Sequence, residues 1–197
     1  MPVRPLPQPL AEQLHEVGMV TRQVRKAGHS IIAGVDWGKK ADFTVISIGC
    51  RDCRREVALE RFNIIDYRIQ RQRLQAVCKQ WGVGEILAEA NAMGEPNIEE
   101  LQYAGLPVMP FVTTATTKPP LIESLRLCFE NEEGQWIDDK TATAELEAYE
   151  MKANANTGRP TYSAPEGMHD DTVIARALMW DLMFIRANWM TLLGGDE

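Results

Sequence analysis

The sequence has few cysteines, no long apolar run and no excess of basic residues. Its four cysteines, Cys50, Cys53, Cys78 and Cys128, are too few and too scattered for a disulfide framework, so we expect reduced thiols. Cys50 and Cys53 form one C-x-x-C with no second pair at zinc-finger spacing, which favours two free thiols at a hairpin. No apolar run could cross a bilayer, and the amino-terminal segment lacks a signal-peptide core. These absences predict a cytoplasmic protein that does not act in a membrane.

Acidic residues outnumber basic ones, with 28 Asp and Glu against 21 Lys and Arg and a formal net charge of -7. Proteins that bind nucleic acid usually have a basic surface, so the total charge does not by itself point to such a ligand. An acidic total is still compatible with one if the acids are concentrated in a metal site and basic residues line a groove. The 45% hydrophobic content of 197 residues suits one globular domain with a sizeable core.

Short apolar runs bounded by polar turns predict strands. The first 29 residues are Pro-rich and then polar, so we predict an arm or linker over 1–29, a domain over 30–188 and a tail over 189–197. The polar turn "RDCRRE" joins the second and third strands as an antiparallel hairpin. The predicted strands cover about 31–36, 41–50, 57–65, 85–89 and 106–112.

Helical spacing follows the third strand. Leu74, Val77, Cys78 and Trp81 recur at i, i+3, i+4 and i+7, which predicts a helix that ends at Gly82. The final apolar stretch predicts a helix packed on most sides. We predict further helices over 95–105, from about 119, over 141–153 and from 170 to about 188, a loop over 154–168, and a small hairpin or edge piece over 133–139.

The order of these elements predicts an α/β fold. Three strands come first, then helix, strand, helix, strand and further helices. We expect a mixed sheet in which the first three strands are antiparallel and the rest are parallel, with helices on both faces.

Four acids occupy positions where such a fold builds sites. Asp36 ends the first strand, Glu89 ends the fourth, and Asp170 and Asp171 open the last helix. Sites in open α/β sheets form at the carboxyl ends of strands, so the four carboxyl groups are expected to converge there. Three of them have alternative roles: Asp36 as a turn residue, Glu89 as a cap or the partner of a lysine, and Asp170 as a helix N-cap. Converging carboxylates need a counter-charge, and two Mg²⁺ or Mn²⁺ ions would supply it and promote phosphodiester hydrolysis.

Three stretches together resemble the nuclease domain of bacteriophage terminase large subunits. They are "IIAGVDWGKKADFTVISIG", "ILAEANAMGEPNIEELQYAGLPVMPFVTTATTKPPLIESL" and "YSAPEGMHDDTVIARALM". The resemblance implies an RNase H-like fold and a metal-dependent endonuclease that cleaves double-stranded DNA during viral genome packaging. It also implies a packaging ATPase domain, a small terminase subunit and a portal as partners, in the cytoplasm of the host cell.

The resemblance also implies roles for single residues. Asp36 would be the first metal ligand and Glu89 the second, while Asp170 and Asp171 would supply the third. Two further residues would contact substrate. Lys118 would hold a phosphate unless it is a solvated loop lysine, and His169 would orient an aspartate, reach a phosphate or serve as a structural cap. Thr44 and Gly94 match the pattern without an obvious chemical role.

One feature departs from complete terminase large subunits, which carry a packaging ATPase. The segment "GVDWGKK" has the wrong glycine spacing for a phosphate loop and lacks its Ser or Thr. We therefore expect an excised nuclease domain or a free-standing relative. Other interpretations are a Holliday-junction resolvase, a transposase-type nuclease or a ribonuclease of the same fold, a sugar-kinase or actin-like nucleotide-binding protein, and a non-catalytic binding module.

Cleavage with little sequence preference would depend on contacts to phosphates. Some basic residues are candidates for a groove that contacts the DNA backbone, although most are expected to be ordinary surface charges. The candidates are Lys39, Lys40, Arg54, Arg55, Lys118, Lys140 and Arg159.

Overall fold

The computed structural model describes residues 28–38, 42–91, 94–153 and 160–193, except for the side chains of residues 153 and 184–193. Most of the expected arm and the last residues of the expected tail lie outside these ranges. The elements are β1 (Ile31–Asp36), β2 (Thr44–Cys50), β3 (Arg55–Phe62), α1 (Tyr67–Trp81), β4 (Val83–Glu89), α2 (Gly94–Tyr103), β5 (Val108–Phe111), α3 (Lys118–Glu130), α4 (Lys140–Ala148), β6 (Glu150–Ala153), β7 (Pro160–Ser163) and α5 (Asp171–Leu193).

Five strands form a mixed sheet in the order β3-β2-β1-β4-β5. The pairs β3–β2 and β2–β1 are antiparallel, whereas β1–β4 and β4–β5 are parallel. The predicted α/β fold with a mixed sheet is therefore confirmed. Since β1 lies at the centre and all six of its residues are buried, its last residue is held at a fixed point of the sheet edge.

Side chains of β1 alternate between two apolar layers, as the period of a strand requires. Ile31, Ala33 and Val35 belong to the layer that α1 and α2 cover. Ile32 points to the other layer, which α3 and α5 cover. The expectation of helices on both faces is confirmed, and it explains why β1 is apolar at nearly every position.

The helix α5 lies directly on β1. A Cβ atom added at Gly34 would be 2.1 Å from the carbonyl oxygen of Ala175 and 2.3 Å from the amide nitrogen of Met179, so only glycine permits this approach. Every residue from Asp171 to Trp180 is buried, which confirms the predicted packing of this helix on most sides. It begins one residue after Asp170 and extends beyond the expected end near Asn188.

A buried ion pair joins α5 to β3. The Nη2 atom of Arg176 donates to Oε2 of Glu56 at 2.7 Å, and Nε donates to Oε1 at 3.1 Å. Glu56 also accepts from the Ser47 hydroxyl at 2.8 Å and from the Ile137 amide at 3.1 Å. Every oxygen of this carboxylate thus has a donor, which is what a buried charge requires.

The second half of the chain departs from the sequence prediction in one segment. The helix predicted over 141–153 ends at Ala148, and residues 150–153 instead form β6. The loop predicted over 154–168 contains β7, which pairs antiparallel with β6. The helix prediction is confirmed up to Ala148, and the predictions are wrong only where β6 and β7 form. A four-residue strand depends on its partner for backbone hydrogen bonds rather than on its own sequence. Within 133–139 the structure has a single bridge, from Gln135 to Arg55 at the sheet edge. No helix in the described part of the chain is long and apolar enough to cross a membrane.

Candidate active site

Asp36 and Glu89 end the neighbouring parallel strands β1 and β4. The strands are in register at Val35 and Ala88, so the two acids that follow are side by side. Asp36 is buried, and this burial raises its pKa well above the usual value for an aspartate. The Glu89 carboxyl group raises the pKa of Asp36 further, and Asp171 and Asp170 add smaller contributions in the same direction.

The start of α5 brings two more carboxyl groups to this edge. Asp170 directly precedes the helix and Asp171 is its first residue. One oxygen of Asp171, Oδ2, accepts a hydrogen bond from the Phe43 amide at 3.3 Å, and it lies 3.6 Å from Nδ1 of His169. Burial raises the pKa of Asp171 to about 6, the Phe43 amide opposes this, and the Glu145 carboxylate adds to it.

The first residue of α3 supplies a cation. The Lys118 ammonium lies 3.3 Å from Oδ2 of Asp170. The loop before it is fixed by Asn91, whose side chain donates to the Thr113 carbonyl at 2.7 Å and accepts from the Thr113 amide at 3.0 Å. The end of β4 and the start of α3 are therefore tied together, and this sets the position of Lys118.

One cleft of about 350 Å³ contains all of these groups. The structure thus brings together every residue that the sequence placed in the site. Asp42 also lines the cleft, so five carboxyl groups face a single ammonium and one imidazole among the described residues. The lining residues are Asp36, Trp37, Asp42, Glu89, Lys118, Met168, His169, Asp170, Asp171 and Ile174.

The donor set of the cleft fits a hard divalent cation. Carboxylate oxygens are the ligands that Mg²⁺ and Mn²⁺ prefer. Within the described residues, no three of these acids each place an oxygen within 4.8 Å of the other two. The arrangement suits ions that take one or two carboxylates and complete their shells with water, as Mg²⁺ usually does.

Polar residues behind the cleft hold the turn that follows Asp36. The Thr44 hydroxyl accepts from the Gly38 amide at 2.9 Å and donates to Oε1 of Gln70 at 2.7 Å. The Gln70 amide donates to the carbonyls of Gly38 and Ile65. This gives Thr44 a structural role, and it adds Gln70, which the sequence reasoning missed. The sequence did contain a signal for Gln70, because it is a polar residue on the otherwise apolar face of α1.

Gly94 has a steric role at the start of α2. An added Cβ atom would lie 2.0 Å from the Glu89 carbonyl oxygen, and it would also contact Trp37. A larger residue would push α2 away from the end of β4. Gly94 therefore permits the close packing that positions the backbone of Glu89.

Two further residues beside Asp170 and Asp171 were missed by the sequence reasoning. Glu145 is buried and accepts from the Thr172 amide at 2.9 Å and its hydroxyl at 2.5 Å. Burial raises the pKa of the Tyr149 hydroxyl, and the neighbouring Asp170 raises it further. Neither residue carried a distinguishing signal, because both fall in a stretch that reads as an ordinary amphipathic helix.

The expected groove residues do not all lie near the cleft. Arg54 and Arg55 are at the turn between β2 and β3, beside Cys50, whereas Asp36 pairs with Val45 at the other end of β2. Lys140 is exposed at the start of α4, and Lys39, Lys40 and Arg159 lie outside the described residues. Arg61, which was not among the candidates, pairs with Val45 and places its guanidinium 3.2 Å from the centre of the Phe43 ring.

The chain is similar to proteins of known identity over most of its length. It is 30% identical over 153 residues, 77% of this chain, to the terminase large subunit of Thermus virus P23-45, and it spans 31% of that relative's length. The crystal structure of the large terminase nuclease from thermophilic phage G20c matches with a TM-score of 0.72 and 30% identity, over 78% of this chain and 82% of that one. A structure of the same nuclease with bound magnesium matches with a TM-score of 0.72 and 29% identity, over 78% and 81% of the two chains. No protein-family model matches the chain.

Proposed function

Because the chain belongs to the family of large terminase nuclease domains, we propose that its acidic cleft hydrolyses phosphodiester bonds of double-stranded DNA during viral genome packaging. The observation that carries the proposal is the convergence of Asp36, Glu89, Asp170 and Asp171 in one cleft. A solved nuclease of this family is known with bound magnesium, which supports a divalent ion as cofactor. We infer two Mg²⁺ or Mn²⁺ ions from the number of carboxyl groups.

The four acids would hold these ions. Asp36 and Glu89 are fixed by adjacent strand ends, so their carboxyl groups need little rearrangement to share a cation. Of the two helix acids we assign Asp171 as a direct ligand, because it is the more buried and the Phe43 amide fixes one of its oxygens. When bound, the ions would activate a water molecule and stabilise the leaving oxygen of an in-line displacement.

Lys118 and His169 would act on the substrate and on the acids. The Lys118 ammonium is partly exposed at the edge of the cleft, where it balances Asp170 and can bind a phosphate next to the cleaved bond. His169 contacts the ring of Phe43 edge-on, and its Nδ1 faces Asp171. We therefore assign His169 as a positioning residue for Asp171.

The setting of the reaction follows from the family. A nuclease that cuts packaged DNA works beside the machinery that moves it, so we propose a packaging ATPase domain, a small terminase subunit and a portal as partners. The similarity to a terminase large subunit about two and a half times as long supports this proposal. Within this chain, cleavage with little sequence preference is expected, because the cleft offers charged groups for phosphates rather than a surface for base edges.

The proposal is tested by cleavage assays on purified protein. With Mg²⁺ or Mn²⁺ the protein should cut linear duplex DNA, and a chelator should abolish cutting. Asp36→Asn and Glu89→Gln should each lower the rate more than about 100-fold, since even the outer partners of metal ligands typically contribute 10–100-fold. Glu100→Gln changes an exposed carboxylate of α2 that does not line the cleft, and it should leave the rate within about twofold.

Two results would count against this function. If Asp36→Asn retained metal-dependent cleavage, the carboxyl cluster would not be the reaction centre. If the protein cut a four-way junction or an RNA–DNA hybrid far faster than linear duplex, it would instead be a nuclease of another class with the same fold.

A further inference from the structure

A second group of metal-binding side chains lies at the other end of β1. His29 precedes this strand, Cys50 ends β2 and Cys53 lies in the turn before β3. The Sγ atoms of Cys50 and Cys53 are 3.3 Å and 3.1 Å from Nδ1 of His29. Among the described residues, these are the only three His, Cys, Asp or Glu side chains whose ligand atoms all lie within 4.8 Å of one another.

Both cysteine thiols converge on one nitrogen of the His29 imidazole. The Nδ1 atom of a neutral imidazole has one lone pair and can accept from one thiol at a time. Two sulfur atoms nevertheless approach it at similar distances. A cation placed among the three atoms would use the lone pairs of all of them.

The distances and donor types suit a particular metal. Zinc binds thiolate sulfur at about 2.3 Å and imidazole nitrogen at about 2.0–2.1 Å, so tetrahedral ligands are separated by about 3.6 Å. The observed sulfur–nitrogen distances are a few tenths of an ångström shorter, which small side-chain rotations can correct. Mg²⁺ and Mn²⁺ prefer oxygen, so they should bind in the acidic cleft rather than at this group.

We propose that His29, Cys50 and Cys53 form a zinc site, with water as the fourth ligand. Binding converts both thiols to thiolates and releases their protons to the solvent. The sequence alone favoured two free thiols because His29 lies 21 residues before Cys50 and outside any ligand spacing. Only the pairing of β1 with β2, which aligns Ile31 with Cys50, brings the histidine to the C-x-x-C turn.

The role of the zinc site follows from its place in the sheet. It joins the segment that enters β1 to the β2–β3 turn, and Asp36 lies at the opposite end of β1, about 20 Å away for a six-residue strand. Zinc would therefore stabilise the central strands without taking part in cleavage at the acidic cleft.

The zinc site can be tested on the full chain, purified under reducing conditions. After equilibration with buffered free Zn²⁺ the protein should hold one zinc per chain more than the Cys53→Ser variant. Substitution by Co²⁺ should produce a thiolate-to-cobalt charge-transfer band in the near ultraviolet. Cys53→Ser and His29→Asn should each weaken zinc binding at least about tenfold. Both positions are at or near the surface, so these variants should fold.

Two control variants separate zinc binding at this site from metal binding elsewhere in the molecule. Cys78→Ala removes a buried thiol of α1 and should leave the zinc content and the cobalt band unchanged. Asp36→Asn with Glu89→Gln disables the acidic cleft and should also retain the zinc, so loss of nuclease activity and loss of zinc are distinguishable. The proposal is overturned if the cobalt band is absent, if Cys53→Ser binds zinc as tightly as the original protein, or if the cysteines are found as a Cys50–Cys53 disulfide without metal.

Discussion

The buried position of Asp171 disfavours the ionised form of its carboxyl group. Its pKa in the folded chain is about 6, against 3.8 for the ordinary group, mainly because it is buried. The folded protein thus binds this proton more tightly than the unfolded chain does. The contribution of Asp171 to the free energy of unfolding is greatest below pH 3.8 and falls as the pH rises to about 6.

We therefore predict that Asp171→Asn stabilises the metal-free protein above pH 6 and has little effect near pH 4. A rise in pKa from 3.8 to about 6 corresponds to at most about 3 kcal/mol. The asparagine oxygen can still accept from the Phe43 amide, so the geometry is retained. Denaturant unfolding in a chelator across this pH range measures the difference, and cleavage with Mg²⁺ should be lost in the same variant.

Asp181 provides the matched control for this experiment. It lies on the same helix, and burial raises its pKa too, but it does not line the cleft. Asp181→Asn should likewise stabilise the protein at neutral pH while leaving cleavage within a few-fold. If Asp171→Asn were less stable than the original protein above pH 6, burial and mutual repulsion in the cleft would not be what raises the pKa of Asp171.

At the residue scale, the sequence predicted the four acids of the site but not the polar residues that contact their neighbours. Asp36 and Glu89 follow apolar strands, and Asp170 with Asp171 opens an apolar helix, so their positions predicted convergence. Gln70 and Glu145 are buried because of contacts with residues distant in sequence, Thr44 and Thr172. The contact of Glu145 leaves no periodic pattern in the sequence, whereas Gln70 falls on the apolar face of α1 and was missed because the contact that needs it could not be foreseen.

The contact between α5 and β1 is the element-scale feature on which the site depends. Gly34→Ala would place a methyl group against the backbone of Ala175 and Met179, so the helix must move outward. We predict a loss of about 1–3 kcal/mol or more in the free energy of unfolding, as for other overpacked cores. Cleavage should fall as well, because Asp170 and Asp171 move with the helix. Denaturant unfolding and the Mg²⁺-dependent cleavage rate measure the two effects.

Gly84→Ala is the control at this scale. An added Cβ atom on this residue of β4 has only the Ile31 carbonyl oxygen near it, at 3.9 Å, an ordinary contact. Its stability and cleavage should stay close to those of the original protein. Equal losses in the two variants would mean that the close approach of α5 has no special importance.

Element order was predictable where the hydrophobic period was clear. The five strands of the sheet and the helices α1, α2, α3 and α5 all occur near the predicted segments, because burial on one or both faces imposes a period of about 2 or 3.6 residues. The β6–β7 hairpin was not predictable, since "TATAELEAYEMKA" is rich in helix formers up to its last residue. Pairing with Pro160–Ser163 overrides that local preference.

For the whole molecule, the question is how a chain of net charge -7 binds an anionic polymer. Few described cations lie near the cleft, with Lys118 lining it and Arg61 nearby. We predict a modest salt dependence, with about two phosphates neutralised and a slope of about -2 in a plot of log affinity against log salt concentration. Fluorescence anisotropy of a labelled duplex with the Asp36→Asn variant and Mg²⁺ measures this slope.

The comparison variant for the salt series is Lys118→Ala, which should reduce the magnitude of the slope by about 1, since one phosphate contact is lost. A flat salt response in the parent variant would mean that phosphate contacts do not drive binding. A much steeper one would mean that many more basic residues contact DNA than the cleft provides.

The arrangement of the whole sheet was predicted from the order of the strands. The position of the acidic site followed from that arrangement. A meander of three antiparallel strands followed by alternating helices and strands permits few sheet topologies, and placing β4 beside β1 is one of them. The groove was harder to predict, because the position of a basic residue along the sequence does not reveal which end of a strand it lies on. Arg54 and Arg55 fell at the end away from Asp36 for this reason.

The buried Glu56–Arg176 ion pair limits which substitutions the sequence can accept during evolution. The two side chains are 0% and 3% exposed, so replacing either one alone leaves its partner as an uncompensated charge in the interior. Among descendants of this sequence, positions 56 and 176 should therefore change together or not at all. An apolar pair of similar volume is the substitution that evolution can accept there, although no single mutational step reaches it without an intermediate of low fitness.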